Sequence, residues 1–251
     1  MTETMLKETS SEIAVSNGVY AKYIKRVMDF FLSFCALVVL SPVLLILTVI
    51  GAIVMKGNPF FFQLRPGKID KKTGSERIFR LIKLRTMTSE TDANGNLLPD
   101  DKRLTKYGKF LRSTSLDELP ELINILIGDM AVIGPRPQLV RDMVFMSEEQ
   151  RKRHIVRPGL SGLAQVSGRN AIAWESKLAY DLEYIQKITF LGDWKIIFLT
   201  VLKVFKREDI SADGMETAED YGDYLLNKGT VKRTIYNERM DEAISILKKG
   251  R

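Results

Sequence analysis

The stretch FFLSFCALVVLSPVLLILTVIGAIVM, from Phe30 to Met55, contains no charged residue. Lys22, Lys25 and Arg26 stand before it, and Lys56, Arg65, Lys68, Lys71 and Lys72 follow. A straight helix needs about 20 apolar residues to cross a bilayer core, so this run is long enough. Ser41-Pro42 interrupts that reading. Pro42 cannot donate to the carbonyl of Val38 and its ring crowds that carbonyl, so a kink or break is expected there. Ser41 can cover part of the loss by bonding a carbonyl one turn back. Each arm is then roughly 18–21 Å long at ~1.5 Å per residue, too short to cross alone and suited to a hairpin dipping into one leaflet. A proline-kinked single span fits the same run. Basic flanks prefer the cytoplasmic side, and a span must put one of the two outside, whereas a dip keeps both inside. The run is too long, and starts too far from Met1, for a signal peptide, and no small-x-small cleavage site closes it.

With 251 residues, the chain accommodates one domain with appendages. Its net charge of +7 and pI near 9.3 suit an anionic partner, whether a membrane surface, a phosphorylated substrate or nucleic acid. The one cysteine, Cys35, lies in the apolar run, which precludes an internal disulfide and makes a reducing compartment the default. The one histidine, His154, excludes His-rich zinc sites and argues against a His-based triad. Its setting, Arg151-Lys152-Arg153-His154, reads as a solvated basic face.

Downstream, Phe60 to Arg65 and Ile78 to Met87 read as strands joined in a β-hairpin. Thr91 to Asp101 is a polar loop with an Asn94-Gly95 turn signal. Leu119, Leu122, Ile123, Leu126 and Ile127 recur at helical spacing, predicting a helix from Asp117 to Gly128. Pro120 is tolerated only in its first turn, which places the start close to Asp117. Gly134-Pro135-Arg136-Pro137 is a rigid loop, and Glu148 to Val156 a short basic helix. Trp174 to Ile188 and Trp194 to Arg207 read as amphipathic helices. The second fits an interfacial helix on anionic lipid or a core helix with a basic rim. Asn237 to Lys248 is a further helix in a charged C-terminal stretch.

The sharpest constellation is Arg112-Ser113-Thr114-Ser115-Leu116-Asp117-Glu118-Leu119-Pro120. Adjacent carboxylates usually form a solvated or capping pair. Here they open a helix, where free amides and the positive dipole end favour anions. Arg112 stands close upstream, and Lys83, Arg85, Arg103 and Arg136 are spread over neighbouring loops and strands. A carboxylate pair among guanidinium groups suits a Mg²⁺-diphosphate substrate, with hard oxygen ligands for the ion and arginine forks for the phosphates. Neither G-x-x-x-x-G-K-[ST] nor G-x-G-x-x-G occurs, so no P-loop or Rossmann site is supported. The nucleophile left for covalent chemistry is a carboxylate.

Several stretches, in one order, resemble the bacterial sugar transferases, the monotopic phosphoglycosyl transferases. They are Ser41-Pro42, Gln63-Leu64-Arg65-Pro66-Gly67, Lys83-Leu84-Arg85-Thr86-Met87 and Thr114-Ser115-Leu116-Asp117-Glu118-Leu119-Pro120. Then come Gly128-Asp129-Met130, Gly134-Pro135-Arg136-Pro137 and Arg157-Pro158-Gly159-Leu160-Ser161-Gly162, followed by Gln165-Val166 and Gly168-Arg169. The resemblance covers about Tyr23 to Asp209 and neither tail. It implies transfer of a phosphosugar from a UDP-sugar to polyprenyl (undecaprenyl) phosphate with release of UMP. Asp117 takes the nucleophile's role, through a covalent phosphosugar intermediate, and Glu118 helps position Mg²⁺. Arg112 and Arg136, with Pro135 and Pro137 around the latter, are implied phosphate contacts; Lys83, Arg85, Arg103, Arg157, Gln165 and Arg169 are secondary substrate-binding candidates. The expected fold is α+β and mostly helical: a Ser-Pro-broken re-entrant membrane helix, a small β-hairpin, and a cytoplasmic helical catalytic domain with interfacial amphipathic helices. Residues 1–21 form a polar tail, 22–56 the membrane helix, 57–210 the transferase domain and 211–251 a charged extension. The expected location is monotopic, on the cytoplasmic face of a bacterial inner membrane. A membrane-anchored adaptor with a lipid- or RNA-binding basic face is the competing class, but no aromatic-rich basic stripe or helix-turn-helix points to nucleic acid. The sugar, the pathway and any homo-oligomer stay open.

Overall fold

Helix α1 (Lys25–Val54) is the longest element of the computed structural model, which describes residues 14–168, 172–206 and 219–250. Pro42 lies inside it, so the break expected at Ser41-Pro42 is not an interruption of the helix. The carbonyl that Pro42 leaves without an amide, that of Val38, accepts Ser41 Oγ at 2.8 Å. That bond repairs part of the proline's damage. Residues recurring every three or four positions face the protein: Lys25, Asp29, Ser33, Leu47 and Gly51 are buried, and Ala36, Leu37 and Leu40 pack on the core. The opposite stripe, including Phe31, Phe34, Val39, Leu45, Val49 and Ile53, is exposed. Among the described residues, Tyr20–Val54 is the one helix long and apolar enough to cross a membrane.

Both ends of α1 stand on the same body of protein. At its start, Lys25 Nζ lies 2.6 Å from Asp193 Oδ2, which also accepts Tyr20 Oη at 2.7 Å; Asp29 Oδ1 accepts the amide of Val132 at 3.1 Å. Towards its end, Tyr107 Oη donates to the carbonyl of Leu47 at 2.7 Å. Gly51 permits this approach, since a Cβ there would meet Tyr107 Oη at 3.1 Å and Pro59 Cβ at 3.2 Å.

Strands β1 (Phe60–Ile69) and β2 (Glu76–Leu84) form the expected antiparallel hairpin, with Phe60 opposite Leu84 and a register shift between Pro66 and Ile69. The second strand ends at Leu84; Met87 makes only an isolated bridge to Leu104. Along β2, Phe79 and Leu81 are buried against α1 and the core. Strand alternation puts Lys83 on that same face.

Helices α2 (Asp100–Arg103) and α3 (Lys106–Thr114) follow. The helix predicted from Asp117 is shorter and starts later. Ser115 ends α3 in the left-handed region (φ 56°), Leu116–Glu118 form a 3₁₀ turn, and α4 runs Glu121–Ile127 from a Pro120 cap. Next come β3 (Ala131–Ile133), α5 (Val140–Met143), α6 (Glu148–Arg151), β4 (Gly159–Ser161) and α7 (Leu163–Ser167). Strands β3 and β4 pair in parallel, a contact the sequence reading did not include. The basic helix expected over Glu148 to Val156 is α6 plus a 3₁₀ turn, Lys152–Ile155. Helices α8 (Trp174–Gln186) and α9 (Phe190–Lys206) match the two amphipathic predictions within a turn; Arg207 lies outside the described residues. The C-terminal part adds α10 (Tyr221–Asn227) and α11 (Arg233–Lys249). The amide of Tyr221 donates to Asp142 Oδ1 at 2.9 Å, and Ala243 of α11 is buried against α5.

Helix α4 is fastened at both ends. Arg26 of α1 donates to the carbonyls of Ile125 and Leu126 at 2.6 and 2.8 Å, capping its C-terminus. Asn124, wholly buried, joins it to β2: its Oδ1 accepts the amide of Ile82 at 3.1 Å and its Nδ2 donates to the carbonyl of Arg80 at 2.8 Å. Replacing Asn124 by Ala strands both strand groups away from water. We expect a loss of about 3 kcal/mol in unfolding free energy, measured by denaturant titration in detergent; an unchanged midpoint would show that this contact holds nothing.

Candidate active site

The segment Leu116-Asp117-Glu118-Leu119 divides its side chains between two duties. Leu116 and Leu119 pack in one apolar cluster with Leu44 and Leu47 of α1, Leu84 of β2 and Leu111 of α3. The carboxylates between them turn to the other side, towards Lys83 and Arg136. The site is thus seated directly on the apolar helix.

The two carboxylates have unequal surroundings. Glu118 Oε1 accepts Lys83 Nζ and Arg136 Nη2, each at 2.8 Å. Burial alone would raise its pKa, but Arg136 and Lys83 outweigh that and hold Glu118 far below the usual carboxylate range. Asp117, half-buried, accepts no hydrogen bond among the described residues. Burial pushes its pKa up; Lys83, Arg136 and Arg112 pull against that, while the charge of Glu118 adds to it. Neighbouring carboxylates pushed in opposite directions mark a division of labour: Glu118 is a fixed anion, and Asp117 has neither oxygen bonded to a donor among the described residues.

A third carboxylate belongs to the cluster and was not among the sequence candidates. Glu121, buried, lies 3.2 Å from Lys83 Nζ, and burial pushes it up to about 7 despite that lysine. Its signal was available, since residues three apart on a helix share a face and Lys83 continues the inward series of β2. Lys83 is half-buried; desolvation would lower its pKa, but Glu118 and Glu121 raise it overall. Arg136 is likewise held above its ordinary value, chiefly by Glu118.

Other sequence candidates are dispersed. Arg112 reaches Thr86 Oγ1 through Nε at 3.2 Å and bears electrostatically on Asp117. Arg85 donates its amide to the carbonyl of Pro59, and no side-chain contact ties it to the dyad among the described residues. Arg103 is committed to Asp100 and to the carbonyl of Thr88. Arg157 donates to the carbonyl of Gly128 at 2.8 Å, below α4 and near Arg26. Gln165 donates to the carbonyl of Leu160 at 2.9 Å. Arg169 lies outside the described residues.

His154 and Arg153 correct the expectation of a solvated basic face: both are buried. Arg153 meets Asp181 Oδ2 through Nε and Nη2 at 2.9 and 2.6 Å. His154 Nδ1 lies 3.0 Å from Glu76 Oε1 and its Nε2 lies 3.2 Å from Arg153 Nη1. A neutral ring with its proton on Nδ1 satisfies both contacts, donating to Glu76 and accepting from Arg153. Burial pushes the imidazole down to about 4. The run misled because basic residues are usually solvated, and the partners that neutralise these, Glu76 and Asp181, are far away in sequence.

No cluster of three or more metal-ligating side chains converges among the described residues. A magnesium ion shared with substrate phosphates needs only one or two carboxylates, and the open oxygens of Asp117 with the second oxygen of Glu118 fit that demand.

A carboxylate pair held by two half-buried cations, Lys83 and Arg136, is thus seated on the apolar helix. The chain matches the bacterial sugar transferase family over residues 20–207 and belongs to it. It is 44% identical over 182 residues to the uncharacterized sugar transferase EpsL of Bacillus subtilis, covering 72% of this chain and 87% of that one. It is 38% identical over 203 residues to a UDP-glucose:undecaprenyl-phosphate glucose-1-phosphate transferase of Klebsiella pneumoniae, covering 75% of this chain and 41% of that enzyme. A UDP-N-acetylgalactosamine-undecaprenyl-phosphate N-acetylgalactosaminephosphotransferase of Aeromonas hydrophila is 36% identical over 207 residues, 78% of this chain and 47% of the relative. The chain thus spans under half the length of these last two.

The buried neutral imidazole makes a pH prediction. An unfolded histidine takes up a proton near pH 6.5, the folded one only near 4. Acidification across that window favours the unfolded state, which binds the extra proton. The stability advantage of the unsubstituted protein over His154→Asn should therefore shrink between pH 6.5 and 4 in thermal melts. An advantage constant with pH would contradict a neutral buried ring.

Proposed function

We propose that this protein transfers a phosphosugar from a UDP-sugar to polyprenyl phosphate through a covalent intermediate on Asp117. The observation that carries the reading is the asymmetry of the dyad: Glu118 is held as a fixed anion by Lys83 and Arg136, while Asp117 accepts no donor among the described residues. An Asp117 oxygen attacks the phosphorus that bears the sugar. The bond from that phosphorus to the bridging oxygen breaks, and the electron pair leaves on UMP. An oxygen of polyprenyl phosphate then attacks the same phosphorus, releasing Asp117 and yielding polyprenyl-diphosphate-sugar. No proton has to be abstracted, so a site without histidine suffices.

An anionic nucleophile approaching a diphosphate meets repulsion, and preorganised cations offset it as charge develops. Arg136, with a side chain 42% exposed, is anchored to Glu118 on one edge and open to a phosphate on the other. Arg112 bears electrostatically on Asp117 as well. Asp117 and Glu118 would hold Mg²⁺, which when bound neutralises diphosphate oxygens. Names of the two enzymatic relatives support UDP-sugar as donor and undecaprenyl phosphate as acceptor, and they differ in the sugar. A screen of UDP-sugars with undecaprenyl phosphate and Mg²⁺ should release UMP from at least one. Asp117→Asn should lower that rate by about a thousandfold or more, and the unsubstituted protein without acceptor should accumulate a phosphosugar adduct at Asp117. Full turnover by Asp117→Asn would overturn the nucleophile assignment.

The same reading makes α1 a monotopic, re-entrant anchor at the cytoplasmic leaflet. Helix α9 also exposes apolar residues, Leu191, Trp194, Phe198, Val201 and Leu202, with Lys195 and Lys206 exposed on the same helix. The edge-to-face pair Tyr20–Phe190 joins the turn before α1 to the start of α9, where Phe190 also meets Trp194. Such a stripe with basic neighbours suits anionic lipid. Amine-reactive labelling from one side of sealed vesicles should reach Lys22 and Lys56 together; labelling of each from opposite sides would establish a span.

A further inference from the structure

The Pro135-Arg136-Pro137 loop is held at every carbonyl. That of Pro135 accepts the amide of Gly159 at 3.0 Å, that of Arg136 accepts Arg153 Nη2 at 2.6 Å, and that of Pro137 accepts Arg65 Nη1 at 2.9 Å. Three donors from three elements fix a segment whose prolines already restrict φ and supply no amide. The middle donor is the costly one. Arg153 and Asp181 are both fully buried, and an apolar pair of similar volume generally serves folding as well or better than such an ion pair. The guanidinium at position 153 does what an apolar side chain cannot: it grips the main chain of the residue that holds Glu118.

We propose that Arg153 is a positioning residue for the phosphosugar transfer, fixing through the Arg136 carbonyl where the Arg136 guanidinium stands between Glu118 and the substrate's phosphates. Asp181 orients Arg153 through two hydrogen bonds, and His154, bonded to Glu76 at the start of β2, sets its far edge. The strand that begins with Glu76 ends beside Lys83, so the two cations that meet on Glu118 are registered against one hairpin. This inference rests on the reading of the site given above, with Arg136 as a phosphate contact.

The test is a double-mutant cycle in the full-length protein in detergent or nanodiscs. Arg153→Met with Asp181→Leu removes the ion pair without stranding a charge, and it is made both alone and with Arg136→Ala. With Arg136 present, UMP release should fall about 10- to 100-fold, the scale of a displaced positioning group. In the Arg136→Ala background the same pair should cost no more than about twofold, because residues acting through one another are not additive. Equal losses in both backgrounds, or no loss in the first, would overturn the proposal. If the pair variant does not melt cooperatively, Arg153→Lys, which keeps Asp181 neutralised with fewer donors, takes its place in the cycle under the same criteria. A second readout needs no turnover: the Nε–H signal of Arg136 in protein labelled with ¹⁵N-arginine, assigned by its loss in Arg136→Ala. It should move to the position of a solvated arginine in the pair variant. An unmoved signal rejects the positioning role, whereas an inactive unsubstituted protein with a moved signal rejects only the transferase reading.

Discussion

Lys83 Nζ stands 2.8 Å from Glu118 and 3.2 Å from Glu121, and the site depends on that contact. Asp117, Glu118 and Glu121 crowd three carboxylates into half-buried space, where unscreened repulsion would drive them apart or protonate them. One ammonium, brought in by the inward face of β2, makes the arrangement tolerable. It also ties the hairpin to the turn that begins α4, so the same contact serves the fold and the site. Arg136 adds the second cation from a loop with no freedom of its own. The partition that results, one carboxylate with two donors on a single oxygen and one with none among the described residues, follows from where two cations reach rather than from the dyad's own sequence.

The apolar helix is the second constraint. Among the described residues, α1 is packed along its whole length by a stripe at helical spacing, and its outward stripe is apolar as well. A helix hydrophobic all round has to be covered on both sides; here protein covers one side. Pro42 is accommodated because it lies exposed on the outward stripe and because Ser41 takes over the carbonyl of Val38. The Ser-Pro pair therefore alters local bonding without ending the helix.

Much of this was legible in the sequence because it depends on local patterning. The apolar run, the hairpin strands, α8, α9 and α11 all have periods that a single sequence displays. The dyad was recognisable from Asp117-Glu118 beside Pro120 and from the cations around it. What was not legible depends on long-range partners. Glu121 looks like an ordinary first-turn glutamate until Lys83 arrives from β2. Arg153 and His154 read as surface until Asp181 and Glu76 are brought beneath them. Arg103 and Arg157 have the composition of phosphate ligands, yet their nearest acceptors are Asp100 and the end of α4. Ser115 in the left-handed region, which shortens the predicted helix, leaves no pattern in a serine-rich stretch.

Helix α4 joins these constraints. It is seven residues long, about 10 Å at 1.5 Å per residue. Its C-terminal carbonyls are capped by Arg26 at the base of the apolar helix, and its first turn carries Glu121 beside the dyad. Leu116 and Leu119 press the dyad segment onto Leu44 and Leu47 near the other end of that same helix. The carboxylates are thus referenced to α1 at two points, before and after Pro42. A displacement of either half of α1 relative to the domain has to move the dyad or break one of these contacts. Position of the apolar helix and position of the dyad carboxylates are then one variable, which is what the proposed transfer between a soluble sugar nucleotide and a lipid-borne phosphate would require.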